Sequence, residues 1–291
     1  MKRTNPILYI PSGRAGEYAD HGYALNLYKG CPHGCRYCYV PCTRFIKSDD
    51  IPVARKRFLA SVTPIPFALE RLEQDLTRLG KLHEPIFLCF TCDPYPTHSC
   101  GWKFTQNITH EAIQLIKANG NNVRILTKGY IPREDLDLLG RGDEVGVTLT
   151  LHLSQDHEQW EPGAISYSHR LFNLQRANNM SLSTWASFEP VIDPKQTIGL
   201  IKCASTYVDV IKVGKSNHQH NWDWPSREWK QRVESIDWRQ FGEEVLCLLF
   251  NIGKPFVLKE DLLRHLKKAD QQRYWLRSTS MKPEVQNEHF E

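Results

Sequence analysis

Apolar and polar positions along the chain alternate between two periods, and the periods take turns. Gly22 to Lys29 alternates with period two and reads as a strand that stops at Gly30. Thr63 stands where it would cap a helix from Pro64 to Leu79, with Phe67, Leu69, Leu72, Leu76 and Leu79 on or near one face and Gly80 as the stop. The short apolar run from Ile86 to Phe90 reads as a buried strand.

The same order then repeats. It predicts helix Thr109 to Asn119, strand Val123 to Thr127, helix Arg133 to Leu139 and strand Val145 to Leu151. Helix Arg170 to Asn179, strand Leu182 to Phe188, helix Thr197 to Ala204 and strand Val208 to Val213 follow. Such βα alternation predicts an α/β fold with parallel strands and right-handed crossovers that can curl into a full or a partial barrel, and we take it as a partial (β/α)6 barrel with a C-terminal extension. Chemistry in that architecture belongs at the C-terminal ends of the strands.

The pattern changes after His218. Trp222, Trp224, Trp229 and Trp238 crowd among polar residues, followed by a helix from Glu243 to Asn251, a last short strand from Pro255 to Lys259 and a basic helix from Asp261 to Lys268. We therefore divide the chain into a barrel core (1–216), a Trp-rich extension or cap (217–277) and a polar tail (278–291). The indoles stand beside His218, His220, Arg227, Lys230 and Arg232, a mixture that suits base stacking and phosphate contact. A tryptophan cap packed over the open barrel end explains it as well and is preferred.

Composition changes this picture little. Lys and Arg number 37 against 33 Asp and Glu, a net charge of +4, with 41% hydrophobic residues. That is an ordinary globular balance, compatible with a nucleic-acid partner and equally with none. No stretch approaches ~18 consecutive apolar residues, and the basic start lacks an apolar region. A membrane span and a secretory signal are not expected, and the location expected is cytoplasmic.

The nine cysteines change it more, because reduced thiols serve metals or catalysis rather than disulfides. Cys31, Cys35 and Cys38 form a Cys-x3-Cys-x2-Cys loop just past the first strand. Three thiolates on so short a loop can hold three irons of a 4Fe-4S cluster and leave the fourth iron open. The alternative is zinc, with Cys42 or His33 completing a tetrahedral set, in a binding module without catalysis.

The loop, with Tyr37 before its third cysteine, resembles the signature of the radical S-adenosylmethionine (SAM) superfamily. Tyr39 on the other side makes it similar to the spore photoproduct lyase-like group. Thr91 to Pro96, Ile125 to Gly129 and Arg133 to Leu139 resemble further segments of that group in the same order, so the likeness runs from Tyr23 to His218. It implies a cluster on Cys31, Cys35 and Cys38 whose open iron chelates SAM. One electron then splits the sulfonium to methionine and a 5′-deoxyadenosyl radical that abstracts a substrate hydrogen. A one-electron reductant of flavodoxin or ferredoxin type is the implied partner, and a nucleic-acid or nucleotide component the implied substrate. A peptide or small metabolite is the alternative.

The resemblance also distributes roles, each with a structural rival. Tyr37 lies beside the adenine, or in the core. Tyr39 faces substrate, or packs. Asp93 meets the cofactor's ammonium, or serves the Asp-Pro turn. Lys128 pairs with the methionine carboxylate, or sits on the surface. Thr148 and Thr150 hydrogen-bond the ribose or carboxylate, or are plain strand residues. Glu161 and Arg170 are expected to form a structural ion pair, with a cofactor contact as the alternative. Cys92 is the candidate hydrogen-atom donor to the product radical, or a packing thiol. The group's own donor position falls on Phe90, which speaks against lyase-type hydrogen return. A second metal centre on Cys89, Cys92, Cys100 and His98 is a further candidate.

Overall fold

The computed structural model describes residues 5–43, 51–60, 62–96 and 108–280. Its main sheet carries β1 (Leu8–Tyr9), β2 (Ala24–Leu25), β3 (Ile86–Leu88), β4 (Val123–Thr127), β5 (Glu144–Thr148), β6 (Ser183–Phe188), β7 (Val210–Val213) and β8 (Phe256–Leu258), in that spatial order. β1 is antiparallel to β2, and each later neighbouring pair is parallel. The two edge strands do not pair with each other among the described residues, so the expected partial barrel is what forms. Phe256–Leu258, the short strand expected within the extension, pairs with β7 and adds a seventh parallel strand.

Period-two alternation sorts the strand residues between two faces. Ile86, Leu88, Val123, Ile125 and Val145 turn outward onto helices Ala68–Leu79 and Thr109–Ala118. Val147, Ala186, Phe188, Ile211 and Val213 do the same toward Pro194–Ala204 and Trp238–Ile252. Phe87 and Trp185 turn inward with Ala24 and the partly buried Leu126. Trp185 fits because its register partner on β5 is Gly146, where a Cβ would lie 2.3 Å from the indole. Arg124 bonds Glu144 at 2.7 Å and pairs with Asp20 at 2.6 Å at the start of the strands. That end of the barrel is plugged, and the open space lies at the C-terminal ends.

Local departures from the sequence reading have visible causes. The strand from Gly22 is interrupted after Leu25, because Asn26 turns its side chain to the loop after β3 and accepts the Phe90 and Thr91 N–H groups at 2.8 and 2.9 Å. Tyr28–Lys29 then pairs with Thr63–Pro64 in a separate two-stranded ribbon. Thr63 thus caps no helix, and the helix begins at Ala68. Helix Pro194–Ala204 begins earlier than expected because Asp193 accepts the Gln196 N–H and Pro194 fits the first turn. The basic helix is divided into Glu260–Leu263 and Lys268–Ser280. Cys100, His98 and the tail beyond residue 280 lie outside the described residues. No helix among the described residues is long and apolar enough to cross a membrane.

Candidate active site

A cavity of about 570 Å³ opens at the C-terminal strand ends. Its volume falls within the roughly 300–1,000 Å³ of small-molecule sites. Cys31, Cys35, Cys38, Tyr37, Tyr39, Cys92, Asp93, Lys128 and Thr148 all line it. Thr150 does not, because β5 ends at Thr148 and the next inward position has already left the strand; its hydroxyl is buried without a partner.

The cysteine loop is clasped from several sides. The Cys31 N–H donates to Phe58 O at 3.2 Å, the Arg36 N–H to Trp160 O at 2.9 Å and the Gly163 N–H to His33 O at 2.8 Å. Arg55 donates to Cys38 O at 3.2 Å. Gly34 sits at φ +65°, a left-handed conformation that favours glycine, with Pro162 against it. At Gly163 a Cβ would lie 2.1 Å from Pro32 O, a backbone atom that cannot swing aside. Gly163→Ala is therefore expected to cost roughly 1–3 kcal/mol and to lower the iron bound per chain on reconstitution. Wild-type melting and iron content in that variant would contradict this packing.

Burial pushes the Cys31 thiol well up and the Cys35 thiol up to about 12, with Lys128 opposing the shift at Cys35; it raises Cys38 as well. Left alone, such thiols stay neutral, whereas bound iron supplies the positive charge that holds thiolates in an apolar wall. The donor set therefore fits an iron–sulfur cluster. Tetrahedral closure is not built: Cys42 is not on the cavity wall and points its thiol at Asn221 O, 3.9 Å away, while His33 turns Nδ1 to Asp93 at 3.4 Å. No three His, Cys, Asp or Glu side chains among the described residues converge on one ion position.

Asp93 serves the turn and lines the cavity at once. Its Oδ1 accepts from the Tyr95 N–H at 2.8 Å and the Thr127 hydroxyl at 2.5 Å, and its Oδ2 from the Lys128 N–H at 2.8 Å. Burial would raise its pKa, but His33 and these donors lower it on balance, so the carboxylate stays ionised. It thereby joins the ends of β3 and β4 to the cysteine loop. Lys128 is a cavity residue rather than a surface one, with Nζ 5.5 Å from the Tyr37 ring centroid. Burial lowers its pKa, yet the nearby Cys35 and Glu161 raise it on balance, keeping the ammonium charged.

Behind this wall lies the expected ion pair. Arg170 meets Glu161 Oε2 at 2.6 Å, and donates to Thr148 O and Ile165 O at 2.9 Å each. The Tyr37 hydroxyl donates to Glu161 Oε1. The tryptophans pack here too: Trp160 lies 5.4 Å from Trp222 and 5.6 Å from Trp229, centroid to centroid, and Tyr37 lies 6.1 Å from Trp222. Arg36 pins this cap by bonding Asp223 at 2.6 Å. Buried Trp222 and Trp229 offer no outer stacking surface.

Tyr39 is 46% exposed beside the cavity and donates to Phe90 O at 3.0 Å. Phe90, where the resemblance sets that group's donor, stacks on Phe87 at 4.1 Å. Sequence reasoning missed Ser12, Ala15 and Tyr18, which line the cavity from an N-terminal segment without any motif. Tyr18 donates to Glu189 at 2.6 Å. Lys215 and Asn217 were missed as well, although their place just beyond β7 was a usable signal.

No family model matches the chain. The architecture is that of the radical SAM enzymes. The structure of Streptococcus suis SuiB bound to S-adenosylmethionine superposes with a TM-score of 0.53 at 11% identity, over 81% of this chain and 50% of that one. SuiB has also been solved bound to its precursor peptide SuiA. A spore photoproduct lyase with bound AdoMet and dinucleoside spore photoproduct gives 0.51 at 15% identity, over 73% and 59%. In sequence, the chain is 26% identical to the uncharacterized protein Rv2578c of Mycobacterium tuberculosis, over 58% of this chain and 49% of that protein. It is 25% identical to the uncharacterized protein ORF301 of Acidianus two-tailed virus, over 67% and 64%. The chain spans about half the length of its mycobacterial relatives.

Proposed function

We propose that Cys31, Cys35 and Cys38 hold a 4Fe-4S cluster and that SAM binds beside it, so that the chain is a radical SAM enzyme. The observation that carries this reading is the gathering of three closely spaced, half-buried thiols on the wall of one cavity at the C-terminal strand ends. When bound, the cluster and cofactor supply a primary carbon radical that abstracts a hydrogen atom. The protein's share is orientation. Lys128 pairs with the cofactor's carboxylate, Asp93 faces its ammonium, and Thr148 donates to its ribose or carboxylate. Tyr37 borders the adenine, while Trp222 and the cap keep water from the reacting centre.

Tyr39 and Cys92 belong to the substrate side, Cys92 as hydrogen-atom donor. For substrate we favour a nucleic-acid or nucleotide component, supported by Lys215 and His218 lining the same cavity as aromatic Tyr39 and Phe90. A flavodoxin- or ferredoxin-type reductant supplies the electron. Anaerobic reconstitution with iron and sulfide, then dithionite and SAM, is expected to yield 5′-deoxyadenosine by chromatography. Zinc at one per chain, without iron or product, would end this reading. The protein is expected to retard single-stranded DNA or RNA in low-salt gels; no retardation of the nucleic acid moves the substrate to a peptide or small metabolite.

A further inference from the structure

The loop after β3 carries a second thiol arrangement that iron binding does not use. Cys89 and Cys92 stand at Cys-x2-Cys spacing, both free and both lining the cavity. Cys92 packs against the buried cluster that contains Cys89. The residues between them are fixed. Asn26 Oδ1 accepts both the Phe90 and the Thr91 N–H, Phe90 stacks on Phe87, and the Tyr39 hydroxyl bonds Phe90 O. The loop therefore loses little further freedom when the two sulfurs join. Their environments differ in a useful way: Cys89 is 7% exposed, whereas Cys92 is only partly buried.

We propose that Cys89 and Cys92 form a reversible dithiol–disulfide centre in the wall of the cavity, exchanging with small disulfides and dithiols. Cys92, the more accessible sulfur, attacks a small disulfide as its thiolate; one S–S bond breaks, a mixed disulfide forms on Cys92, and one small thiol leaves. Cys89 then gives up its proton and attacks the Cys92 sulfur, closing the internal bond and expelling the second small thiol. The pair loses two electrons and two protons, and the small disulfide gains both. The oxidised form holds no S–H on this wall. Where Cys92 serves as hydrogen-atom donor, which rests on the proposed function, oxidation removes the donor.

The test needs neither SAM nor a one-electron reductant, so its failure is separate from failure of the radical reading. Protein carrying its metal is incubated anaerobically with oxidised glutathione, alkylated and digested. Chymotryptic cleavage after Phe90 parts the two cysteines, and acid cleavage between Asp93 and Pro94 removes Cys100. The expected product is a joined pair of Cys89 and Cys92 peptides, returned completely to separate peptides by dithiothreitol. Cys89→Ser is expected to trap glutathione on Cys92, and Cys92→Ser to leave Cys89 unmodified. A folded wild-type protein that gives no joined pair at full oxidation overturns the proposal. Glutathione on Cys89 in the Cys92→Ser variant overturns the order of attack.

Discussion

Cys35→Ala, prepared without oxygen, is expected to lose the brown iron–sulfur chromophore and all measurable 5′-deoxyadenosine formation. Removing a residue that merely orients a metal ligand already costs about 10–100-fold, so loss of a ligand itself must cost more than ~100-fold. The effect is specific to the metal, because Cys35 lies on a loop whose backbone is fixed by Trp160, Gly163 and Phe58 through bonds that the substitution leaves in place. The variant should therefore remain folded by circular dichroism. Parental chromophore and cleavage rate in Cys35→Ala would eliminate the cluster assignment, and the proposed function with it.

The largest stability loss is expected at the other end of the site. Glu161→Ala leaves the Arg170 guanidinium, itself fully buried, without its carboxylate. Breaking a buried pair by removing one partner costs about 3–5 kcal/mol, a large share of a domain's stability. The pH dependence has a definite sign. Burial would raise the Glu161 carboxyl, but Arg170 first, then Lys128 and His157, hold it down to about 2, against an ordinary value of 4.5. A lowered folded-state pKa contributes stability that is full above about pH 4.5 and drains away as pH falls toward 2. Urea midpoints across that range should fall in the parent and flatten in Glu161→Ala. A midpoint loss equivalent to less than ~1 kcal/mol at neutral pH would show that Arg170 finds its charge balance elsewhere.

The cluster loop was legible because its chemistry is local: three ligands within eight residues need no tertiary contact to be seen. The order of the sheet was legible for a related reason. Each parallel strand is followed by a crossover that packs on the same face, so chain order becomes spatial order. Even the Glu161–Arg170 pair was within reach, being nine positions apart. Thr63 misled because capping chemistry and strand pairing compete for one residue, and pairing with Lys29, 34 positions away, won.

By itself, then, the sequence determined the parallel βα order, the three thiols and the end of the barrel at which they gather, since period and spacing act over a few residues. Tertiary structure alone decided that the Tyr37 hydroxyl ends on Glu161, 124 positions away, and that Asp93 ties two strand ends to the cysteine loop. It alone turned Trp222 and Trp229 inward onto Trp160 and brought Tyr18 into the cavity. Such contacts join segments far apart in the chain. Which side chains meet there depends on how whole strands and helices pack, a property no local pattern carries.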